Sequence, residues 1–376
     1  MKIKQTIISA IFGCCLTFSI LFAGCSLFSD NASDLFEFNL KVGDTYYIKS
    51  IKSDDITELE IPESYNNKKI SGIENNAFAN CSSLKKVVIP EGVTEIGANA
   101  FNNCSALETI SLPSSISKIG TDAFSGCSSL KYYTFENGAY LGNEENNYLV
   151  LLKGLDKSVQ SFQVNEDCKI IYTKALYSFT NLYDLEMPYS IYDIGSRAFG
   201  GCSSLKEFLV PNMITDFTLG WFENCTSLKT ITISANVETV AISYFMTCQN
   251  LSEFKVYSTN PKFAAKDGVL YSKDLKTLLS YPVGKTQSSF EIPSYVECLA
   301  TYAFDGCENL KSLIMYPYCK TLRSAAVINC NNLHTLNFRG TTSEWLEIDN
   351  GNPGWDHSFV INKVNCTNGS FNRGKA

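Results

Sequence analysis

One eight-residue pattern, Ala-Phe-x-x-Cys-x-x-Leu, returns along the chain every 23 residues and limits what the chain can fold into. Its cysteines fall at Cys81, Cys104 and Cys127, then at Cys202, Cys225 and Cys248, then at Cys307 and Cys330. Phe179 lies 23 residues before Cys202 and fills the same slot in a ninth copy, Ala175 to Leu182. Leucine stands three residues after every slot, from Leu84 and Leu107 through to Leu310 and Leu333. A repeat of this length cannot bury an apolar face by itself; copies must stack, and the product is a solenoid.

The rest of the repeat builds outward from the slot. Eleven and eight residues before it the chain is apolar, as at Ile70 and Ile73, Val93 and Ile96, or Ile191 and Ile194. Six and eight residues after it come Val87 and Ile89, Ile110 and Leu112, Tyr133 and Phe135, Leu185 and Met187, Phe208 and Val210. That alternation is the period of a half-buried strand. Pro90, Pro113, Pro188 and Pro211 then end it, because proline lacks the N–H that a parallel ladder needs. The short Ala-Phe-x-x-Cys stretch reads as one helical turn on the opposite side of each coil. Trp221 and Tyr244 replace the small alanine, and Ala326-Val327 replaces Ala-Phe, so distortion is expected at those turns.

With these residues in hand, the chain resembles bacterial surface proteins with BspA-type leucine-rich repeats, whose consensus runs I-x-x-I-x-x-x-A-F-x-x-C-x-x-L-x-x-V-x-I-P. The match runs from about Tyr46 to Phe338. The fold class is thus a β-rich α/β solenoid, a leucine-rich-repeat stack of short parallel strands with two hairpin insertions and terminal caps. The resemblance implies a non-catalytic protein, exported to the cell surface, that binds proteins or matrix.

The start of the chain agrees with export. Lys2 and Lys4 precede an uncharged stretch from Gln5 to Ser29, and Leu21-Phe22-Ala23-Gly24-Cys25 looks like a lipobox. Residues 1–24 are expected to be a lipoprotein signal peptide and Cys25 the acylated residue; an uncleaved membrane anchor is the other reading. Residues 25–45 form a tether and the start of an N-terminal cap. Residues 46–338 form the solenoid, with insertions near 136–167 and 257–294, and residues 339–376 a C-terminal cap and tail.

Removing Lys2 and Lys4 takes the net charge from −7 to −9, which disfavours nucleic acid and anionic lipid as direct partners. Twelve cysteines remain after Cys25. Most recur at one inward slot where a reduced thiol serves as a small hydrophobe, and Phe179 there shows that packing is the requirement. Cys168, Cys298, Cys319 and Cys366 stand off the slot and stay open between thiol and disulfide. No metal is expected: there is no Cys-x-x-Cys, and only His334 and His357 are present. No cofactor is expected either. There is no His-Glu-x-x-His or Gly-x-Ser-x-Gly, and Gly284-Lys285-Thr286 has Leu279 where a phosphate loop needs glycine.

Two interruptions break the phase. Fifty-two residues separate Cys127 from Phe179, and 59 separate Cys248 from Cys307. Asn147 to Leu152 precedes Ser161 to Val164 in the first; Gly268 to Tyr271 and Thr277 to Ser280 precede Ser289 to Pro293 in the second. These read as inserted β-hairpins, with Gly154 and Lys273-Asp274 near their turns. Tyr140, Tyr148, Tyr257, Tyr271 and Tyr281 cluster there, suited to partner contact or to sealing the hairpins against the coils. At the ends, Ile56, Leu59 and Ile61 match the strand of a degenerate first repeat, and Trp345, Leu346, Ile348, Trp355, Phe359, Val360, Ile361 and Val364 give a non-repeating cover before a frayed tail from Thr367.

The outward strand positions, five and seven residues past the slot, are where a partner would sit. Asp184, Glu186, Glu207 and Glu253 concentrate acid in the middle coils. With Tyr132, Tyr148 and Tyr271 they are the candidate contact residues of a monomeric, adhesin-like surface protein. A surface lipoprotein holding a small molecule or glycan near the hairpins is the alternative, and pocket shape discriminates the two.

Overall fold

Each copy makes one coil, and successive coils pair in parallel with a register step of 23 residues. In the computed structural model, which describes residues 35–372 except 54, 218, 219, 353 and 355–360, Lys86–Val88 pairs with Thr109–Ser111 and Glu95–Ile96 with Lys118–Ile119. The first pairing builds the sheet face five to seven residues past the slot. The second builds a narrower ladder before the slot. Between these ladders the columns read as inward are buried: Ile73, Phe78, Leu84 and Val87 have no exposure, and neither do Ile194's neighbours Phe199 and Cys202.

The Ala-Phe side is not helical. It runs as successive turns in which residues five and one before the slot take positive φ: Asn76 and Asn80 at 61° and 67°, Asn99 and Asn103 at 55° and 60°, Arg197 and Gly201 at 54° and 73°. A helical turn would consume its N–H groups within the coil. Left-handed residues instead aim them along the stack, so Asn76, Phe78 and Asn80 donate to Ala98, Ala100 and Asn102 carbonyls at 2.9, 2.8 and 2.7 Å. Asparagine and glycine dominate the position just before the slot because they tolerate that backbone best. The Cys248 coil, with Ser243 and Thr247 five and one before its slot, makes a 3-10 turn at Ile242–Tyr244 instead.

The slot thiols do more than fill space. Cys104, Cys127, Cys202 and Cys225 each donate from Sγ to the phenylalanine or leucine carbonyl 26 residues upstream, at 3.1–3.2 Å. None of the twelve cysteines from Cys81 to Cys366 is in a disulfide. Burial pushes the Cys202 and Cys248 thiols up to about 12, which keeps them protonated and non-nucleophilic.

Both insertions are three-stranded antiparallel meanders, not side hairpins. Tyr133–Phe135, Gly138–Leu141 and Val150–Gly154 pair in turn, and Val150–Gly154 then rejoins the parallel ladder through Ile170–Ile171. Phe263–Lys266, Val269–Ser272 and Thr277–Ser280 repeat this plan and rejoin at Cys298–Leu299. Ser161–Gln163 and Ser289–Glu291 complete a hidden coil in each case by pairing with the next sheet strand. Lys273 and Asp274 do lie between two paired strands, whereas Gly154 ends a strand. Its missing side chain leaves room for the Phe179 ring, which an added Cβ would meet at 2.2 Å. Tyr172 and Tyr192 bridge the first insertion: Tyr172 accepts from the Phe124 N–H at 3.0 Å, and Tyr192 donates to the Ile116 carbonyl.

The ends are closed by unlike devices. At the front, Phe36–Lys41 and Thr45–Ile51 form an antiparallel pair, and the second strand starts the parallel ladder at Lys68–Ile73. At the back, helix Thr342–Gly351 starts in a capping box between Thr341 and Glu344 and lays Trp345 and Ile348 over the last coil. Lys363–Cys366 adds to Thr335–Phe338, and Gly369–Asn372 folds back on it, so the described residues past Thr367, read as a frayed tail, include a strand. Leu346, read as part of the cover, is 46% exposed. Trp355, Phe359 and Val360 lie outside the described residues.

Candidate interaction surface

Stacked strands should give one continuous sheet face, yet the face is divided into four sets. Two divisions fall at the insertions. The third falls between Asp184–Glu186, which pairs back with Ser161–Gln163, and Glu207–Leu209, which pairs forward with Thr230–Ile233. Here the 23-residue phase is intact, and the Ala-Phe side stays joined, with the Leu176 N–H to the Ala198 carbonyl at 2.8 Å. A cluster of aromatic rings fills the core beside it. Phe208 sits 5.2 Å from Phe199, 4.6 Å from Phe222 and 6.2 Å from Trp221, ring to ring, and Phe217 lies 4.7 Å from Trp221. Phe199 and Phe222 are the phenylalanines that regular coils also carry, so Phe208, Phe217 and Trp221 are the added rings, and a close-packed interior has little room for such additions.

Trp221 does not distort its turn: Gly220 and Asn224 keep positive φ at 61°, and the Phe199 N–H reaches the Trp221 carbonyl at 3.1 Å. Its indole N–H donates to the Ile194 carbonyl at 2.9 Å, and Asp193–Ile194 and Asp216–Phe217 fall in separate sheets. Ala326-Val327 does not distort its turn: Ala325 and Asn329 keep positive φ, and the Phe304 N–H still reaches the Ala326 carbonyl at 2.8 Å.

The break opens a cleft of about 540 Å³ lined by Leu185, Met187, Pro188, Tyr189, Leu209 and Tyr257, with Glu186 and Glu207 at its sides. A second cleft of about 400 Å³ shares Glu186, Met187 and Pro188 and extends to Phe135 and Gln163. Leu185 and Met187, read as inward, are only half-buried because no strand covers them. Tyr189 is 76% and Leu209 40% exposed. A third cleft, about 690 Å³, lies beside the second insertion between Glu253, Lys255, Asp267 and Lys285.

Asp184, Glu186 and Glu207 are exposed around the break, and none makes an ion pair among the described residues. Glu253 stands apart, half-buried, 3.5 Å from the Lys255 ammonium and accepting from the Thr230 hydroxyl at 3.4 Å. Tyr132 is 39% exposed with the Lys153 ammonium 5.1 Å from its ring centroid, well before the break in the chain. Of the tyrosines in or beside the hairpins, Tyr140, Tyr271 and Tyr281 turn inward, whereas Tyr257 is 43% exposed. Tyr271 is 2% exposed and cannot be a contact residue; its ring packs 6.4 Å from that of Tyr295, and burial raises its phenol pKa. Tyr148, half-buried, packs edge-on against Phe135 and Tyr140 at 6.0 and 5.5 Å. Tyr133, read as inward, is 46% exposed because its strand pairs only within the first meander. Cys25 lies outside the described residues.

Sequence reasoning missed Tyr189 and Leu209. Their signal was weak: Tyr189 follows the proline that ends its strand, and Leu209 is an apolar residue at an outward position. Among the described residues no group of three or more His, Cys, Asp or Glu side chains could hold a metal ion, and no helix is long and apolar enough to cross a membrane.

The family model of the BspA type Leucine rich repeat region, in 6 copies, matches residues 48–145, 155–266 and 284–348. Among solved structures, the chain is similar to a leucine-rich repeat protein from Bacteroides ovatus ATCC 8483, with 20% identity, 89% of this chain and 98% of that chain covered, and a TM-score of 0.41. A leucine-rich repeat protein from Eubacterium ventriosum ATCC 27560 is 22% identical over 82% of this chain and 71% of that chain, with a TM-score of 0.40. A leucine rich cell surface protein from Faecalibacterium prausnitzii A2-165 is 20% identical over 84% and 96%, with a TM-score of 0.36. No curated protein matches the chain.

Proposed function

We propose, for a chain that belongs to the BspA-type leucine-rich repeat family, that it is a non-catalytic cell-surface protein whose sheet face binds another protein. The observation that supports this most is the shape and chemistry of that face. Its clefts are open, and its middle carries exposed apolar side chains, Tyr189, Leu209 and Tyr257, beside unpaired carboxylates. Exposed aromatic residues in a polar setting are the usual anchors of protein contact. A small ligand held at the hairpins has less support, since Tyr140, Tyr271 and Tyr281 are buried in packing and leave no aromatic enclosure.

A photo-crosslinking side chain placed at Thr109, Thr232 or Asn337 tests this reading on intact cells. Crosslinks to protein from these positions, and none from Asn80, Asn224 or Asn329 on the turn side, are expected. Equal crosslinking from both sides would overturn it. Attachment through an acylated Cys25 belongs to the same proposal. Cys25→Ala is then expected to release the protein from the membrane fraction; retention of that variant, with no lipid label on the wild type, would leave an uncleaved anchor in its place.

A further inference from the structure

Among the described residues, the break between Asp184–Glu186 and Glu207–Leu209 is the one division of the sheet face that no inserted chain accounts for. Each bordering strand hydrogen-bonds in the other direction only, so both present an unpaired edge to the same cleft. Such edges are templates for an added strand. We propose that an extended segment of a partner protein, with basic and apolar side chains in alternation, fills this break as a strand. The proposal rests on the sheet-face reading above.

Its pattern follows from the residues that flank the break. Strand side chains alternate between faces. On the inward side an added strand would lie over Leu185, Met187 and Pro188, half-buried apolar groups that regular coils would cover. Their burial favours aliphatic or aromatic side chains there. On the outward side it would lie beside Asp184, Glu186 and Glu207, whose charges no lysine or arginine of the described residues meets. Opposite charges across adjacent strands are favourable and like charges are not, so lysine or arginine belongs at those positions. Pro188 and Pro211 close the far end of both edges, which keeps the added strand short. The segment just before the described residues, Ser26 to Asp34, carries Asp30 and Asp34 and no basic residue, so like charge opposes it as the occupant.

The test selects random ten-residue peptides displayed on phage against the full-length chain held in detergent micelles. Enrichment of peptides in which Lys or Arg alternates with Val, Ile or Phe is expected. Three measurements on synthetic copies then decide. The double variant Glu186→Lys, Glu207→Lys is expected to weaken binding by about tenfold or more, with an unchanged circular dichroism spectrum. Methylating alternate peptide amides is expected to weaken binding to a similar extent, since it removes ladder hydrogen bonds while keeping every side chain. A control pair at the first coils, Lys86→Glu and Thr109→Glu, is expected to change nothing. Binding that ignores amide methylation overturns the added strand. Binding lost only in the control pair overturns the break as the site and leaves the sheet-face reading standing, whereas binding indifferent to both variants overturns both. Self-association of the chain that is lost in the double variant would make the occupant a second copy and overturn a foreign partner.

Discussion

At the residue scale, the slot column shows how one position can serve two needs. A cysteine there is small enough for the core and also hydrogen-bonds the carbonyl of the previous coil, at 3.1 Å in Cys225 and 2.8 Å in Cys330. Leu205, 1% exposed, sits beneath the next coil, so Leu205→Ala is expected to cost about 2–5 kcal/mol in denaturant unfolding. Thr232→Ala on the sheet face should stay within about 0.5 kcal/mol; equal losses would mean that the inward and outward columns are reversed. Asp193 carries a carboxyl that the fold desolvates. Desolvation pushes its carboxyl up to about 6, against a pull downward from Lys118. Below the ordinary carboxylate range both folded and unfolded chains hold the proton, so this site costs nothing there. As pH rises through about 6 the native state must charge a desolvated group and stability falls. Asp193→Asn is therefore expected to raise Tm at pH 7.5 and to leave it unchanged at pH 3.5; a larger gain at pH 3.5 would contradict this sign.

At the element scale, the departures from the consensus have separate consequences. Ala326-Val327 leaves its turn intact because the left-handed residues on either side, Ala325 and Asn329, still aim the N–H groups along the stack. Trp221 alters its coil because the indole takes the Ile194 carbonyl and adds ring volume. Trp221→Ala would remove a side chain 1% exposed and orphan that carbonyl, at an expected cost of about 3–5 kcal/mol by thermal or denaturant unfolding. A near-neutral result would show that the coil relaxes into the regular ladder. The C-terminal helix depends on its cap: Thr341→Ala removes the hydroxyl that accepts from the Glu344 N–H, leaves the backbone N–H of residue 341 on the Glu344 carboxylate, and should cost about 1 kcal/mol, read as faster amide exchange at Trp345 and Ile348.

At the scale of the whole molecule, three apolar clusters run end to end along the stack, and the joins between them fall at the insertions. Coils that touch only their neighbours make stability nearly a sum of local terms. Deleting residues 82–104, one full period, joins Cys81 to Ser105 in phase and is expected to leave a cooperative unfolding transition at a lower Tm. Deleting residues 94–104 shifts every later column out of phase and is expected to abolish that transition. Survival of both variants would show that the cap and the insertions, not the repeat register, hold the fold.

The period, the inward columns and the existence of two insertions were legible from the residues alone, because stacking repeats the same burial requirement every 23 positions. The left-handed pairs were also written there, in the asparagines and glycines at Asn80, Asn103, Gly201 and Asn224, although their direction was read as helical. Only the tertiary structure decided that Tyr271 is buried, that the insertions hide a coil each, and that the sheet face opens between Glu186 and Glu207. All three depend on contacts between residues of different coils. A repeat pattern states which residues face inward within one coil, whereas the spacing between coils depends on the summed volume of rings that come from different copies, Phe199, Phe208, Phe217, Trp221 and Phe222, and meet only when the stack is closed.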